Sequence, residues 1–183
     1  MNTTVGSTAA AGGAVPGGSG ETPTPQAAKQ RTGKSVKRRM EVKGTVRGVT
    51  VYDDFAHHPT AVGETLAALR ASYPEARIWA VFEPRSASSC RRVFQADFVR
   101  AFGAADEVLI APVFRSSLPQ SERPSVPTLV SDLHDRGQSA HEVDSVDAII
   151  AAIVRDHRPG DLVVIMSNCG FGGIHQKLMR ALA

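Results

Sequence analysis

Short apolar runs of strand length recur along the chain from residue 77 onward. Residues 77–83 (RIWAVFE), 106–112 (DEVLIAP) and 161–167 (DLVVIMS) are rich in apolar side chains, as is typical of strands buried on both faces. Residues 139–143 (SAHEV) form a weaker run. Nearer the start, polar and apolar residues alternate over residues 40–53, which predicts two short strands punctuated by glycines.

Apolar residues with helical spacing lie between these strands. Val62, Leu66 and Leu69 share one face of a predicted helix with Pro59 in its first turn, where the missing N–H does no harm. Further helices are predicted over residues 91–103, 128–137, 145–157 (capped by Ser145) and 174–183. The alternation predicts an α/β fold with a Rossmann-like, mostly parallel sheet, helices on both faces and a short antiparallel strand at its start.

The first 35 residues differ in composition from the remainder. They are mainly Gly, Ala, Ser, Thr, Pro and Gln, so they cannot bury enough apolar surface to offset the entropy of ordering. We expect a disordered tail over residues 1–35 and one domain over residues 36–183. Residues 1–39 hold six basic residues and one acidic residue, which leaves the rest with a net charge of −2. No nucleic-acid partner is therefore expected for the domain.

Composition also disfavours several classes of protein. No run of about 18 apolar residues predicts a membrane-spanning helix, and the N-terminus lacks the basic and apolar segments of a secretory signal. Two cysteines, Cys90 and Cys169, do not make a disulfide framework and favour reduced thiols. These features indicate a cytoplasmic protein with no membrane partner.

Three polar stretches follow predicted strands, and the first of them, residues 53–58 (DDFAHH), has three interpretations. A metal site would need three or four converging ligands, whereas His57 and His58 are adjacent and project in different directions. Alternatively, His58 caps the next helix and Asp53 pairs with a cation. In a third interpretation the stretch binds a ligand, because a carboxylate at a strand end accepts hydrogen bonds from ribose hydroxyls.

The other two stretches, EPRS and SNCGFGG, also lie where parallel sheets bind ligands. Arg85 offers a guanidinium fork to a carboxylate or phosphate, or it forms a salt bridge with Glu83 or Asp54. The glycines of residues 170–173 lead directly into a helix. In one interpretation the N–H groups of this loop bind an anion, and in the other the glycines only allow close packing. Cys169 has no evident base partner and is disfavoured as a nucleophile.

Together these motifs resemble the C-terminal domain of the Mur ligases, the ATP-dependent amide-bond ligases of peptidoglycan synthesis. The resemblance covers residues 36–183 and begins with residues 37–70. Residues 80–89 (AVFEPRSASS) and 166–178 (MSNCGFGGIHQKL) narrow it to the murein peptide ligases, which join UDP-N-acetylmuramate to L-alanyl-γ-D-glutamyl-meso-diaminopimelate. The sequence departs from the family pattern at Cys169, where glycine is usual, and at Ala87-Ser88-Ser89.

The resemblance implies that this chain is one of three domains. The first binds the UDP-sugar, and the central one carries a phosphate-binding loop with its lysine and the magnesium ligands. No stretch of the 183-residue sequence matches the phosphate-binding motif GxxxxGK[ST]. By the resemblance, the chain therefore corresponds to the third domain, which closes over the nucleotide. ATP and Mg²⁺ are expected as cofactors of the complete ligase, with no metal ligands in this chain. The N-terminal and central Mur ligase domains are the expected partners.

The resemblance also implies roles for individual residues. No catalytic residue is expected here, because the lysine and magnesium of the absent domain stabilise the developing charge. The residues expected at the nucleotide are Arg39, Asp54, His57 and His58. Those expected at the muropeptide substrate are Arg85, Ser86, Arg115, Ser167, Asn168, Gly170, Gly172 and Gly173.

Two hypotheses about function follow. In the first, the chain is the C-terminal portion of a ligase and is inactive alone. In the second, it is a stand-alone nucleotide- or peptide-binding module without ligase activity. An independent Rossmann-like enzyme using Cys169 or the histidines is disfavoured.

Overall fold

A computed structural model describes residues 39–86, 88–113 and 119–183. The predicted tail over residues 1–35 and the predicted peptide contact Arg115 lie outside the described residues. None of the helices in the described ranges is long and apolar enough to cross a membrane.

The described residues form one six-stranded sheet, which confirms the predicted α/β fold. Its strands lie in the order β1-β2-β6-β3-β4-β5, and β1 and β2 are the antiparallel pair while the other neighbours are parallel. The strands are β1 Glu41–Val46, β2 Val49–Asp54, β3 Ile78–Phe82, β4 Glu107–Ile110, β5 Ser139–Glu142 and β6 Leu162–Met166.

Helices cover both faces of this sheet, as the alternating pattern predicted. They are α1 Pro59–Ser72, α2 Gln95–Ala101, α3 Val126–His134, α4 Val146–Asp156 and α5 Ile174–Leu182. Buried residues of α1, α2 and α3 pack with one another on one face, and those of α4 and α5 pack on the other. Alternate residues of β3 enter the two cores, with Phe82 in the first and Val81 in the second, because strand side chains alternate between faces.

Two predicted helices differ in detail from those observed. The helix predicted over residues 91–103 is divided into a 3-10 turn at Arg92–Phe94, the short α2, and a second 3-10 turn at Phe102–Ala104. The helix predicted from residue 128 begins earlier, because the Ser125 hydroxyl accepts a hydrogen bond from the Thr128 N–H at 3.2 Å and a proline follows in the first turn.

Candidate ligand site at the carboxyl edge of the sheet

The loop after β2 is held by the buried carboxylate of Asp54, which is 1% exposed. Its Oδ1 accepts hydrogen bonds from the Ala56 N–H at 2.7 Å and the Thr65 hydroxyl at 3.3 Å, and its Oδ2 accepts one from the Met40 N–H at 2.7 Å. A carboxylate has about four acceptor sites, so three of them are used within the chain. Asp54 therefore fixes the loop and joins it to the start of β1, while its contact with a ribose stays a prediction.

The two histidines of this loop make different local contacts. His58 is the N-cap residue of α1, where its Nδ1 accepts a hydrogen bond from the Thr60 N–H at 3.4 Å, so the predicted capping role is confirmed. The ring of His58 also lies edge-on to that of Phe94, with 5.0 Å between centroids. The Nδ1 of His57 lies 2.8 Å from the Phe55 carbonyl and donates to it, because a carbonyl only accepts.

Arg39 lies beside this loop as a consequence of the Asp54 contacts. The neighbouring Met40 N–H is bonded to the Asp54 carboxylate, and Arg39 itself is exposed. The structure thus brings the backbone next to Arg39 to the loop that holds Asp54, His57 and His58, although Arg39 and His58 are 19 positions apart in sequence.

Asp53 pairs with two basic side chains, as one of the sequence interpretations expected. Its Oδ2 lies 3.2 Å from the Lys43 Nζ. Its Oδ1 lies 3.3 Å from the His175 Nε2 in the first turn of α5, a close contact in which the ring nitrogen is not aligned for a hydrogen bond. Burial lowers the pKa of Lys43, but hydrogen bonds to Glu41 and Asp53 outweigh it, and the net pKa is raised.

Lys43 and His175 are two residues of this region that were not predicted from the sequence. Lys43 is the extra residue of a β-bulge, since Val42 pairs with Tyr52 while Gly44 pairs with Val51. The only sequence signal was the interruption of the polar–apolar alternation at Lys43 and Gly44.

A buried hydrogen bond joins the ends of β3 and β6. The Ser167 hydroxyl donates to Glu83 Oε2 at 2.5 Å and accepts from the Cys169 N–H at 3.1 Å. The other oxygen of Glu83, Oε1, lies 3.4 Å from the Arg85 guanidinium. The predicted salt bridge between Arg85 and Glu83 is therefore confirmed. The Arg85 side chain is still 30% exposed.

Ser86 is buried in a cluster of hydroxyl groups. Its Oγ donates to Ser89 Oγ at 2.8 Å, lies 3.1 Å from Ser88 Oγ and is 3.5 Å from the His57 carbonyl. These bonds shape the turn after β3 and connect it to the loop after β2. A contact between Ser86 and a peptide stays a prediction.

The glycine-rich loop after β6 requires a left-handed backbone. Phe171, Gly172 and Gly173 have φ of 39°, 59° and 73°, and a Cβ at Gly172 would lie 3.2 Å from the Val146 Cγ2. Gly173 occupies the N-cap position of α5, so the positive end of the helix dipole points into this loop. Asn168 lies half-buried between Ser167 and Cys169 at the start of the same loop.

A cleft of about 350 Å³ opens between these loops. Its size is at the low end for small-molecule sites. It is lined by residues from the ends of four elements: Glu83, Ala111, Pro112, Val113, Asp144, Ser145, Val146, Phe171 and Gly172. A second cleft of about 300 Å³ lies beside the start of α1, with Asp97 and Arg100 of α2 on its other wall. Among residues 39–86, 88–113 and 119–183, no three His, Cys, Asp or Glu side chains are placed to hold a metal ion.

Comparison with known proteins identifies the family. The sequence profile described as "Mur ligase, glutamate ligase domain" matches residues 38–169. The chain belongs to the Mur ligase family. The matched range contains β1 to β6 and ends at Cys169, directly before the glycine-rich loop of residues 170–173.

Individual relatives agree with this assignment. The chain is 43% identical over 152 residues to the UDP-N-acetylmuramate–L-alanyl-γ-D-glutamyl-meso-2,6-diaminoheptandioate ligase of Escherichia coli K12, and 41% identical over 150 residues to that of Haemophilus influenzae. Each alignment covers 81% of this chain but 31% of the relative. This Mur ligase domain thus spans under a third of the length of the curated relatives that it matches.

Solved structures show the same fold. A murein peptide ligase from Psychrobacter arcticus superposes with a TM-score of 0.68 at 36% identity, over 81% of this chain and 30% of that one. A domain assigned to the corresponding ligase of Haemophilus ducreyi superposes with a TM-score of 0.62 at 41% identity, over 79% of this chain and the whole of that one.

Proposed function

We propose that this chain is the C-terminal domain of a cytoplasmic, ATP-dependent ligase that joins UDP-N-acetylmuramate to L-alanyl-γ-D-glutamyl-meso-diaminopimelate in peptidoglycan recycling. The observation that carries the proposal is the meeting of three motif-bearing loops at one sheet edge, in a Mur ligase domain 41–43% identical to proteins with that name. The partners are the N-terminal and central domains of the ligase.

The loop after β2 forms the nucleotide side of the proposed site. Arg39 is exposed and carries a permanent positive charge, which fits the phosphates of ATP. His57 and His58 belong to the same loop, and the hydrogen bonds of Asp54 hold its shape. When bound with Mg²⁺, ATP supplies the phosphoryl group that activates the muramate carboxylate.

The loops after β3 and β6 form the peptide side. The tripeptide carries several carboxylates, which suit the Arg85 guanidinium and the N-terminal end of α5 beyond Gly173. Gly172 lines the 350 Å³ cleft. Ser86, Ser167, Asn168 and Gly170 are proposed on the same side of the site, and Arg115 is proposed for the diaminopimelate end. The role of these groups is to orient the amine for attack.

The 183 residues alone are proposed to have no ligase activity, because their sequence holds no phosphate-binding loop with its lysine, and the part of the chain that the structure describes holds no set of metal ligands. The test is incubation of the purified chain with UDP-N-acetylmuramate, the tripeptide and Mg-ATP. No product is expected, and addition of the two other ligase domains in trans should produce turnover. Turnover by the chain alone would contradict this part of the proposal.

A second candidate is a stand-alone binding module without ligase activity. The 350 Å³ cleft favours it, since its volume falls within the range of small-molecule sites. Calorimetric titration with Mg-ATP and then the tripeptide separates the two candidates. Half of a shared site should bind at millimolar Kd or weaker, whereas a micromolar Kd would indicate a complete site in this chain.

A further inference from the structure

The carboxylates of Asp53 and Asp54 leave the end of β2 on opposite faces of the sheet, because successive side chains of a strand alternate. Asp53 contacts His175 of α5, and Asp54 contacts Thr65 of α1. Two consecutive residues therefore join both helical layers to the carboxyl edge.

The contact between Asp53 and His175 is largely shielded from water. The side chains of Asp53 and His175 are 4% and 12% exposed, and Lys43 lies on the other oxygen of the carboxylate. Screening by salt is weak for a pair at this depth. Removing the His175 ring takes away one polar neighbour of this buried carboxylate.

The same region lies between the two candidate ligand loops. His175 follows the left-handed turn at Phe171–Gly173, so its position determines how that turn joins α5. On the other side, the Asp54 carbonyl accepts a hydrogen bond from the Ser167 N–H at 3.1 Å, directly before the glycine-rich loop. Ala56 is held by the Asp54 side chain at 2.7 Å.

We propose that His175 is a positioning residue that acts through Asp53 to couple the glycine-rich loop, residues 170–173, to the loop of residues 54–58. A ligand that orders one loop then favours the bound arrangement of the other, and the effect is reciprocal. This inference rests on the proposed function for the identity of the two ligands, the peptide and the nucleotide, but not for the coupling.

Amide hydrogen exchange in the full chain tests the coupling without any ligand. His175→Ala should raise exchange about five-fold, the low end of inter-site couplings, at the Gly173 N–H and also at the Met40 and Ala56 N–H groups on the opposite face. His175→Gln, whose amide can donate to Asp53, should restore most of the protection. Lys177→Ala is the matched control, since it removes an exposed pair with Asp147 from the same helix.

The outcomes of the exchange experiment are distinct. Faster exchange at both loops in His175→Ala, but not in Lys177→Ala, supports the coupling. A change confined to Gly173, or an equal change in the control, overturns it. If His175→Ala does not fold, the isosteric Asp53→Asn replaces it, because Lys43 keeps Glu41 as a partner. Unchanged exchange at Ala56 in Asp53→Asn would then overturn the proposal.

Titration with the tripeptide separates this inference from the proposed function. In the unaltered chain, the tripeptide should slow exchange at Ala56, and His175→Ala should lose that response. If the tripeptide binds and slows Ala56 equally in His175→Ala, the coupling is rejected while the proposed function stands. If the unaltered chain shows no response to the tripeptide, the peptide role fails, and the ligand-free exchange rates decide the coupling.

Discussion

The Ser167 hydroxyl donates a hydrogen bond to the Glu83 carboxylate across the boundary between β6 and β3. Ser167 is 2% exposed and Glu83 is 7% exposed, so water cannot readily replace the bond. Ser167→Ala should lower the free energy of unfolding by about 2 kcal/mol, the cost of an unsatisfied buried group. Urea denaturation of Ser167→Ala and of the unaltered chain measures this difference in the free energy of unfolding. Ser131→Ala, on the exposed face of α3, is the control and should change stability by less than about 0.5 kcal/mol.

Gly172 should not tolerate a side chain. Any residue other than glycine would be strained at its φ of 59°, and the added Cβ would lie 3.2 Å from the Val146 Cγ2. Gly172→Ala should destabilise the fold by about 1–3 kcal/mol and weaken tripeptide binding. Gly103→Ala is the matched control, because a Cβ there meets nothing within 4 Å. Equal melting temperatures for the two variants would contradict the left-handed geometry of the loop.

The two cysteines should differ in reactivity. Burial raises the pKa of the Cys90 thiol, although a hydrogen bond with Ser89 and the charge of Arg123 partly oppose it. Because the thiolate is the reactive form, a raised pKa leaves less of it at neutral pH. Cys169 is half-buried and should be labelled first by a disulfide reagent at pH 7.5.

A variant that lacks Cys169 shows which cysteine gives the fast phase of labelling and which gives the slow phase. Cys169→Ser should leave only a slow phase, whose rate rises as the pH is raised toward the pKa of Cys90. A fast phase that survives in Cys169→Ser would show that the Cys90 side chain is accessible.

Alkaline pH should destabilise the domain through Tyr52. Burial, and then a hydrogen bond with Tyr73, raise the pKa of Tyr52 above its ordinary value of 10.0. The folded chain thus keeps a proton that the unfolded chain releases near pH 10, so the free energy of unfolding is constant below that pH and falls above it. Denaturant titrations between pH 8 and 11 measure the slope.

Tyr52→Phe should flatten this part of the pH profile, because no phenol then ionises at that position. If the profile of Tyr52→Phe above pH 10 matches that of the unaltered chain, another group is responsible.

Much of the architecture could be predicted from local patterns. The apolar run at residues 78–82 and the helical face of Val62 and Leu66 depend on near neighbours, and both are buried as expected. The capping role of His58 was also local, since it depends on the first turn of α1. These features follow from periodicity and helix-end chemistry alone.

Contacts between distant segments could not be predicted in the same way. That Asp53 pairs with a cation was expected, but Lys43 reaches it through a β-bulge and His175 through the packing of α5 on the sheet. Two of the three internal hydrogen bonds of Asp54 could not be predicted either, because they depend on where Met40 and Thr65 lie in space. The resemblance to a family supplied ligand roles, and the structure added the supporting contacts.

The place of β6 between β2 and β3 has a consequence for folding during synthesis. Until Leu162–Met166 leaves the ribosome, the β1–β2 hairpin and the β3–β4–β5 layer have no strand between them to pair with. Insertion of this late strand joins the two halves through long-range contacts, which form slowly. All three motif-bearing loops therefore reach their common edge in one late step of folding.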